Sequence, residues 1–170
     1  MITVRLERPD DAAGVRRVNE LAFGQADEAD LVERLRQACR DSLSLVAEDD
    51  VVVGHILFTP VVVECAPRPV LGMGLAPMAV LPDRQRQGIG SLLVRRGLEM
   101  LRARSCPFAV VVGHPEYYPR FGFQPASTHG LASQWPGMPD AAFMVLVLDA
   151  PVMSGVSGVA TYREEFNQVA

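Results

Sequence analysis

The residues with the most chemical content run from Val80-Leu81-Pro82 to Gly90, an apolar run with a sharp exit, followed by Gln85-x-x-Gly88-x-Gly90 and an amphipathic segment. Glycines let a backbone turn closely with no Cβ in the way. Successive N–H groups at a helix N-terminus then converge on one anion, which is the geometry that holds a phosphate or diphosphate. The dinucleotide-binding fingerprint is excluded, because Leu93 stands where its third glycine would be. A plain strand-to-helix turn with two convenient glycines is the competing reading of the same residues.

Isolated groups carry weaker signals. His114 follows an apolar run and precedes Pro115, where it would relay a proton through water or merely cap the strand end. Glu64 offers a general base or a solvent-facing carboxylate, and His55, interrupting Val53 to Phe58, reads as a satisfied half-buried residue. Cys39, Cys65 and Cys106 stand at no metal-ligand spacing and beside no recognisable activating histidine. Neither a disulfide framework, a metal site nor a nucleophilic thiol is expected, and a reducing compartment fits. Trp135, within Gln134-Trp135-Pro136-Gly137-Met138-Pro139, would line a pocket or pack on its own domain.

Composition removes whole classes of function. All 16 of the Lys and Arg residues are arginine. A Walker-type phosphate loop and pyridoxal chemistry both require a lysine, so both are excluded. A net charge of −4 with scattered arginines makes a nucleic-acid partner unexpected. The longest basic cluster, Arg84, Arg86, Arg95 and Arg96, flanks the glycine turn. No apolar run approaches the ~18 residues of a membrane span, and Met1 to Asp11 is too polar for a signal peptide. No membrane partner and a cytoplasmic location are expected. At 170 residues and 49% apolar content, one ordinary domain with a sizeable core is affordable without a staple.

The elements that must position these groups follow from periodicity. Ile2 to Leu6 reads as a strand, and Asp11 to Phe23 as a helix with Ala13, Val15, Val18 and Leu21 on one face. A second helix runs from Asp27 to Ala38, with acids in its first turn. Ser42 to Glu48 and Val51 to Phe58 form a hairpin about Asp49-Asp50, and Val70 to Leu81 is a third long run. The helix after the glycine turn reaches about Ala103, with Leu92, Leu93, Met100 and Leu101 joining Ile89 in a stripe. Phe108 to Val112 is a fully apolar, central strand. Pro115 to Phe121 allows a helical turn or two, and Ala141 to Leu148 makes a last strand. The order βααβββαβαβ predicts an α/β (α+β) fold with a mixed, mostly antiparallel sheet and helices on its faces.

With these elements in place, the sequence resembles the GNAT superfamily of acyl-CoA-dependent N-acetyltransferases. The resemblance rests on Met78-Ala79-Val80-Leu81-Pro82 with Gln85 to Gly90, on Tyr118-Pro119-Arg120-Phe121-Gly122-Phe123, and on the order of elements across residues 1 to 148. Gly113-His114-Pro115-Glu116-Tyr117-Tyr118, with Gly155-Val156-Ser157-Gly158, is similar to its YhbS-like bacterial branch. The resemblance implies a domain over 1–148, a tail over 149–170 packed on it, and a splay between the fourth and fifth strands. Pro77, unable to donate to a neighbouring strand, marks a break in pairing at that point or an edge strand.

Carried over residue by residue, the resemblance implies acetyl-CoA as co-substrate and an amine as acceptor. The amides of Arg86, Gln87, Gly88, Ile89, Gly90 and Ser91, with Gln85 opening the motif, would take the diphosphate of CoA. Main-chain groups of Met78, Ala79 and Val80 would pair with the pantetheine arm as if it were an added strand. Tyr118, four residues before Gly122, would protonate the departing thiolate. Tyr117, one step along the chain, would pack or line the acceptor side. Asp27 and Glu28, between the first two helices, would draw a cationic amine by focused negative potential or serve only the helix dipole. The resemblance leaves room for a homodimer. A non-catalytic acyl-CoA-binding sensor is the alternative function, and a structural module would leave the glycine turn and Tyr118 unexplained.

Overall fold

Runs of β-branched residues become strands and 3.6-residue periodicity becomes helices in the computed structural model, which describes residues 1–65 and 67–168. Among them the strands are β1 (Thr3–Leu6), β2 (Leu43–Asp49), β3 (Val51–Val63), β4 (Val70–Val80), β5 (Phe108–Val112), β6 (Gln124–Pro125), β7 (Leu131–Ser133), β8 (Phe143–Val147) and β9 (Gly158–Thr161). The α-helices are α1 (Ala12–Phe23), α2 (Asp27–Ala38), α3 (Ile89–Ala103) and the single turn α4 (Ala150–Met153). None of the helices is long and apolar enough to cross a membrane. The chain divides into two units, one holding Met1–Phe58, Ala76–Glu99 and the residues from Glu164, the other Thr59–Leu75 and Met100–Arg163.

In the first unit, β1 pairs antiparallel with β2, from Thr3 opposite Glu48 to Leu6 opposite Leu45. The β2–β3 pair is the expected hairpin, antiparallel from Leu43 opposite Phe58 to Asp49 opposite Val51. Its turn residue Asp50 adopts φ +63°, which a short polar side chain tolerates. Helix α1 buries Val15, Val18 and Asn19, whereas Ala13 and Leu21, expected on that face, are exposed. The inward stripe is set by what α1 packs against, and it admits Asn19 because a partner for its amide is waiting there, as described below. Helix α2 buries Ala29, Leu31, Val32 and Leu35 and leaves Ala38 exposed. Full burial of a leucine such as Leu35 contributes roughly 1.5–3 kcal/mol. Arg16 joins the two helices, reaching Glu20, Asp30 at 2.9 Å and Glu33 at 3.0 Å. In α3, Leu93, Val94 and Leu98 are buried while Leu92, expected in the stripe, is 47% exposed.

The second unit is built around β5. It runs parallel to β4, with Met73, Gly74 and Leu75 opposite Ala109, Val110 and Val111. On its other side it runs antiparallel to β8, from Phe108 opposite Val147 to Val112 opposite Phe143. A strand with neighbours on both sides and apolar side chains on both faces is the buried type, and Phe108 to Val111 are at most 1% exposed. The parallel register ends at Leu75, beside the cis Ala76–Pro77 bond, while β4 runs on to Val80. Strand β6 pairs with β8, and β9 pairs antiparallel with β3 and parallel with β7. The sheet is therefore mixed and mostly antiparallel, as the element order predicts. Residues 149–168 carry α4, β9 and a 3-10 turn, none of which the tail's sequence announces.

Candidate functional site

The glycine turn belongs to the first unit and is supported on three sides. The N–H of Leu81 donates to Val53 O at 2.9 Å as the chain leaves β4. In the 3-10 turn Pro82–Arg84, the Arg84 guanidinium meets Asp49 at 2.8 Å, fastening the turn to the tip of the β2–β3 hairpin. That guanidinium, and then the α-amino group of Met1, holds the Asp49 carboxyl below the usual carboxylate range. Gln85 Nε2 donates to Val80 O at 3.0 Å and Gln87 Nε2 to Asp83 O at 3.3 Å. Both side chains thus curl back to brace the backbone.

Arg86 has φ +61° and Gly88 φ +84°, so left-handed residues punctuate the turn just before α3 begins. Main chain of this kind aims its N–H groups to one side, and the positive end of a helix dipole reinforces them. A Cβ at Gly88 would meet nothing within 4 Å. Residues Gln85 to Gly88 are exposed, Ile89 is buried, and Gly90 and Ser91 are half-buried. Along the end of β4, Met78 and Val80 are half-buried and Ala79 is buried.

The acids of α2 sit in its first turn. Asp27 is exposed, Gln25 Nε2 donates to both Glu28 oxygens at 3.1 and 3.2 Å, and Asp30 is held by Arg16. His55 is fully buried rather than half-buried, since β3 passes beneath α1 at that residue. The amide of Asn19 donates to Val15 O at 3.0 Å and to His55 Nδ1 at 3.2 Å. Nδ1 is therefore the acceptor, and Nε2–H donates to Ser44 Oγ at 2.9 Å. Burial, and then the charge of Arg36, pushes the imidazole down to about 3. It is neutral at physiological pH.

In the second unit, β5 ends at Val112 and the chain turns through His114, whose side chain is exposed and whose carbonyl accepts from Tyr117 N at 3.1 Å and Tyr118 N at 3.4 Å. The 3-10 turn Tyr118–Phe121 then ends on Gly122. Tyr118 is 8% exposed, among the rings of Tyr117, Phe121 and Phe123 at 5.0, 6.3 and 5.8 Å. Burial, and then Tyr117, pushes its phenol up to about 12, so it keeps its proton at neutral pH. Tyr117 is half-buried, lies at 85° to Tyr118, and carries the Arg120 guanidinium 4.4 Å above its ring. The adjacent tyrosines thus occupy different environments.

Two further aromatic residues join this unit. Trp135 lines a cavity of about 370 Å³ with Leu131, Met138, Asp140 and Phe143. It also packs on Tyr162 at 4.9 Å, so both readings of this tryptophan hold. Its indole N–H is buried with no hydrogen-bond partner among the described residues. Tyr162 escaped the sequence reading, and the only available signal was an aromatic residue after a short β-branched run.

Residues 3–126 match the acetyltransferase (GNAT) domain family. The chain is 37% identical over 167 residues to the uncharacterized N-acetyltransferase YhbS of Escherichia coli K12, covering 97% of this chain and 98% of that one. The crystal structure of E. coli YhbS in complex with CoA superposes with a TM-score of 0.92 at 36% identity, over 99% of this chain and 93% of that chain. A GNAT family acetyltransferase from Brucella melitensis, in complex with acetyl-CoA, gives 0.78 at 37% identity over 98% of each chain.

Proposed function

The chain belongs to the GNAT acetyltransferase family, and from that membership we propose that it moves an acetyl or short acyl group from CoA to a primary amine by direct attack in a ternary complex. The observation that carries the reading is the turn from Arg86 to Gly88, left-handed at both residues, exposed, and open where a Cβ would stand. Its amides, with those up to Ser91, receive the diphosphate of CoA. The main chain of Met78, Ala79 and Val80 pairs with the pantetheine amides and polarises the thioester carbonyl.

The neutral amine forms the new bond to the acyl carbon, and the bond from that carbon to sulfur breaks. Tyr118 is the general acid. A phenol held at about 12 is protonated at pH 7, and it donates that proton to the leaving sulfur. The amine loses its extra proton to water, and Tyr118 recovers one from solvent. Asp27 and Glu28 raise the local concentration of a cationic acceptor, and Tyr117 and His114 line its approach.

The test is a thiol-release screen of amines with acetyl-CoA, covering polyamines, amino acids, aminoglycosides, peptide N-termini and lysine side chains. Release of CoA with one acceptor class supports the proposal. Binding of acetyl-CoA with no transfer to any amine replaces it with the acyl-CoA-binding sensor.

A further inference from the structure

The loop between β7 and β8 walls a cavity of about 370 Å³ that lies wholly within the second unit. Leu131, Trp135, Met138 and Phe143 line it, and Asp140 is the one charged group among the described residues that do so. A mostly apolar lining with few polar groups, at this volume, is the character of a small-molecule site. The Trp135 indole N–H is buried, so it cannot donate to anything held there.

The wall is held in place by its own contacts. The Trp135 backbone N–H donates to Ser133 Oγ at 3.1 Å, and its ring packs on Tyr162, whose N–H is bonded to Gln134. Pro136 and Pro139 each fix a φ in the loop, Gly137 turns it at φ +77°, and the Met138 N–H returns to Trp135 O at 3.4 Å. An ordered wall spares a ligand the entropy of ordering it.

The cavity also adjoins the turn that carries Tyr118. Buried Phe143 stands opposite Val112 at the end of β5, and the next residue, Gly113, donates its N–H to Ala142 O at 2.9 Å. A Cβ at Gly113 would strike the Tyr118 ring, with Cδ2 at 2.8 Å. One strand spacing of ~4.8 Å therefore separates the backbone behind the cavity from the backbone beneath Tyr118.

Charge selects the occupant. Asp140 is exposed and forms no ion pair among the described residues. An apolar pocket edged by one unpaired carboxylate complements an organic cation with an apolar body.

We propose that this cavity is the acceptor subsite of the transferase, and that the acceptor is a primary amine with an apolar body, which the cavity encloses while the Asp140 carboxylate meets the ammonium form. This rests on the transferase reading above and narrows it. Polyamines and aminoglycosides, charged or hydroxylated along their length, fit such a lining poorly.

The chain has one tryptophan, so tryptophan emission reports this cavity without turnover. The probe is phenethylamine, set beside phenethyl alcohol, which keeps the body without the charge, and ethylamine, which keeps the charge without the body. Phenethylamine should change the emission saturably and bind about three- to fivefold more tightly than the alcohol, the scale of one exposed ion pair. It should bind about tenfold or more tightly than ethylamine, the scale of burying an aromatic body. Asp140→Asn, at an exposed position, should bring the amine down to the affinity of the alcohol. In turnover the same variant should raise KM for the amine by that factor and leave KM for acetyl-CoA unchanged. No saturable response to phenethylamine, with or without CoA, overturns the proposal, and so does equal binding of amine and alcohol in wild type. If phenethylamine binds here and no amine is acetylated, the binding site stands and the transferase reading fails. If an amine is acetylated yet leaves the Trp135 emission unchanged, the transferase reading stands and this subsite falls.

Discussion

Replacing Gly88 separates backbone strain from electrostatics at the turn. The residue sits at φ +84° with nothing within 4 Å of a built Cβ, so a side chain there meets no steric wall and only the dihedral is strained. Alanine in that region costs about 1 kcal/mol, and asparagine, which tolerates it better, costs less. For a chain of this size 1 kcal/mol is a drop of about 2–4 °C in Tm. Aspartate matches asparagine in shape and adds one negative charge. At ~5 Å from a diphosphate carrying about two charges, the repulsion is roughly 1.7 kcal/mol even at the dielectric of water, and several-fold more at the effective value of ~20 near a protein surface. The Kd for CoA should therefore weaken at least about tenfold from Gly88→Asn to Gly88→Asp, while Gly88→Ala is the least stable of the three. Calorimetric titration with CoA at low and high salt measures the gap, which should narrow as salt screens it. Heat protection of wild type by CoA, roughly 2.7 kcal/mol at ~100 Kd, gives an independent reading. Equal CoA affinity in folded Asp and Asn variants would refute diphosphate binding at this turn.

Tyr118→Phe should lower kcat by about 10²-fold with CoA affinity near wild type, and Tyr117→Phe should cost much less; steady-state kinetics with the acceptor found by screening decides, and equal losses count against the division of roles. Asp27→Asn combined with Glu28→Gln should raise KM for the acceptor but not for acetyl-CoA, and an unchanged acceptor KM leaves these acids only their service to the helix dipole. His55 gives a pH signature. The unfolded chain protonates this imidazole near 6.5 and the folded one only near 3, so its contribution is intact above 6.5 and is lost as pH falls toward 3. The loss is up to ~1.4 kcal/mol per pH unit. Urea midpoints between pH 6.5 and 4 should fall less steeply in His55→Gln than in wild type, and identical slopes would contradict the buried neutral imidazole.

The glycine turn was legible because most of what shapes it is local, although Val53 and Asp49 also hold it from the β2–β3 hairpin. Its left-handed residues, its helix start and the side chains of Gln85 and Gln87 that brace it lie within a dozen positions, and backbone sterics act at that range. The runs that became β2 to β5 were legible for the same reason, since alternation and β-branching are properties of a segment. Tertiary structure decided what depends on partners distant in the chain. Leu21 and Leu92 have helix-face spacing yet point outward, because the direction of burial belongs to the packed neighbours and not to the helix. Asn19 is buried because His55, 36 positions away, receives its amide, and no local pattern encodes that meeting. Strand β9 has four residues and exists through pairing with β3 and β7. Tyr162, just past its end, is buried because Gly74 of β4, a strand far away in sequence, leaves room for its ring.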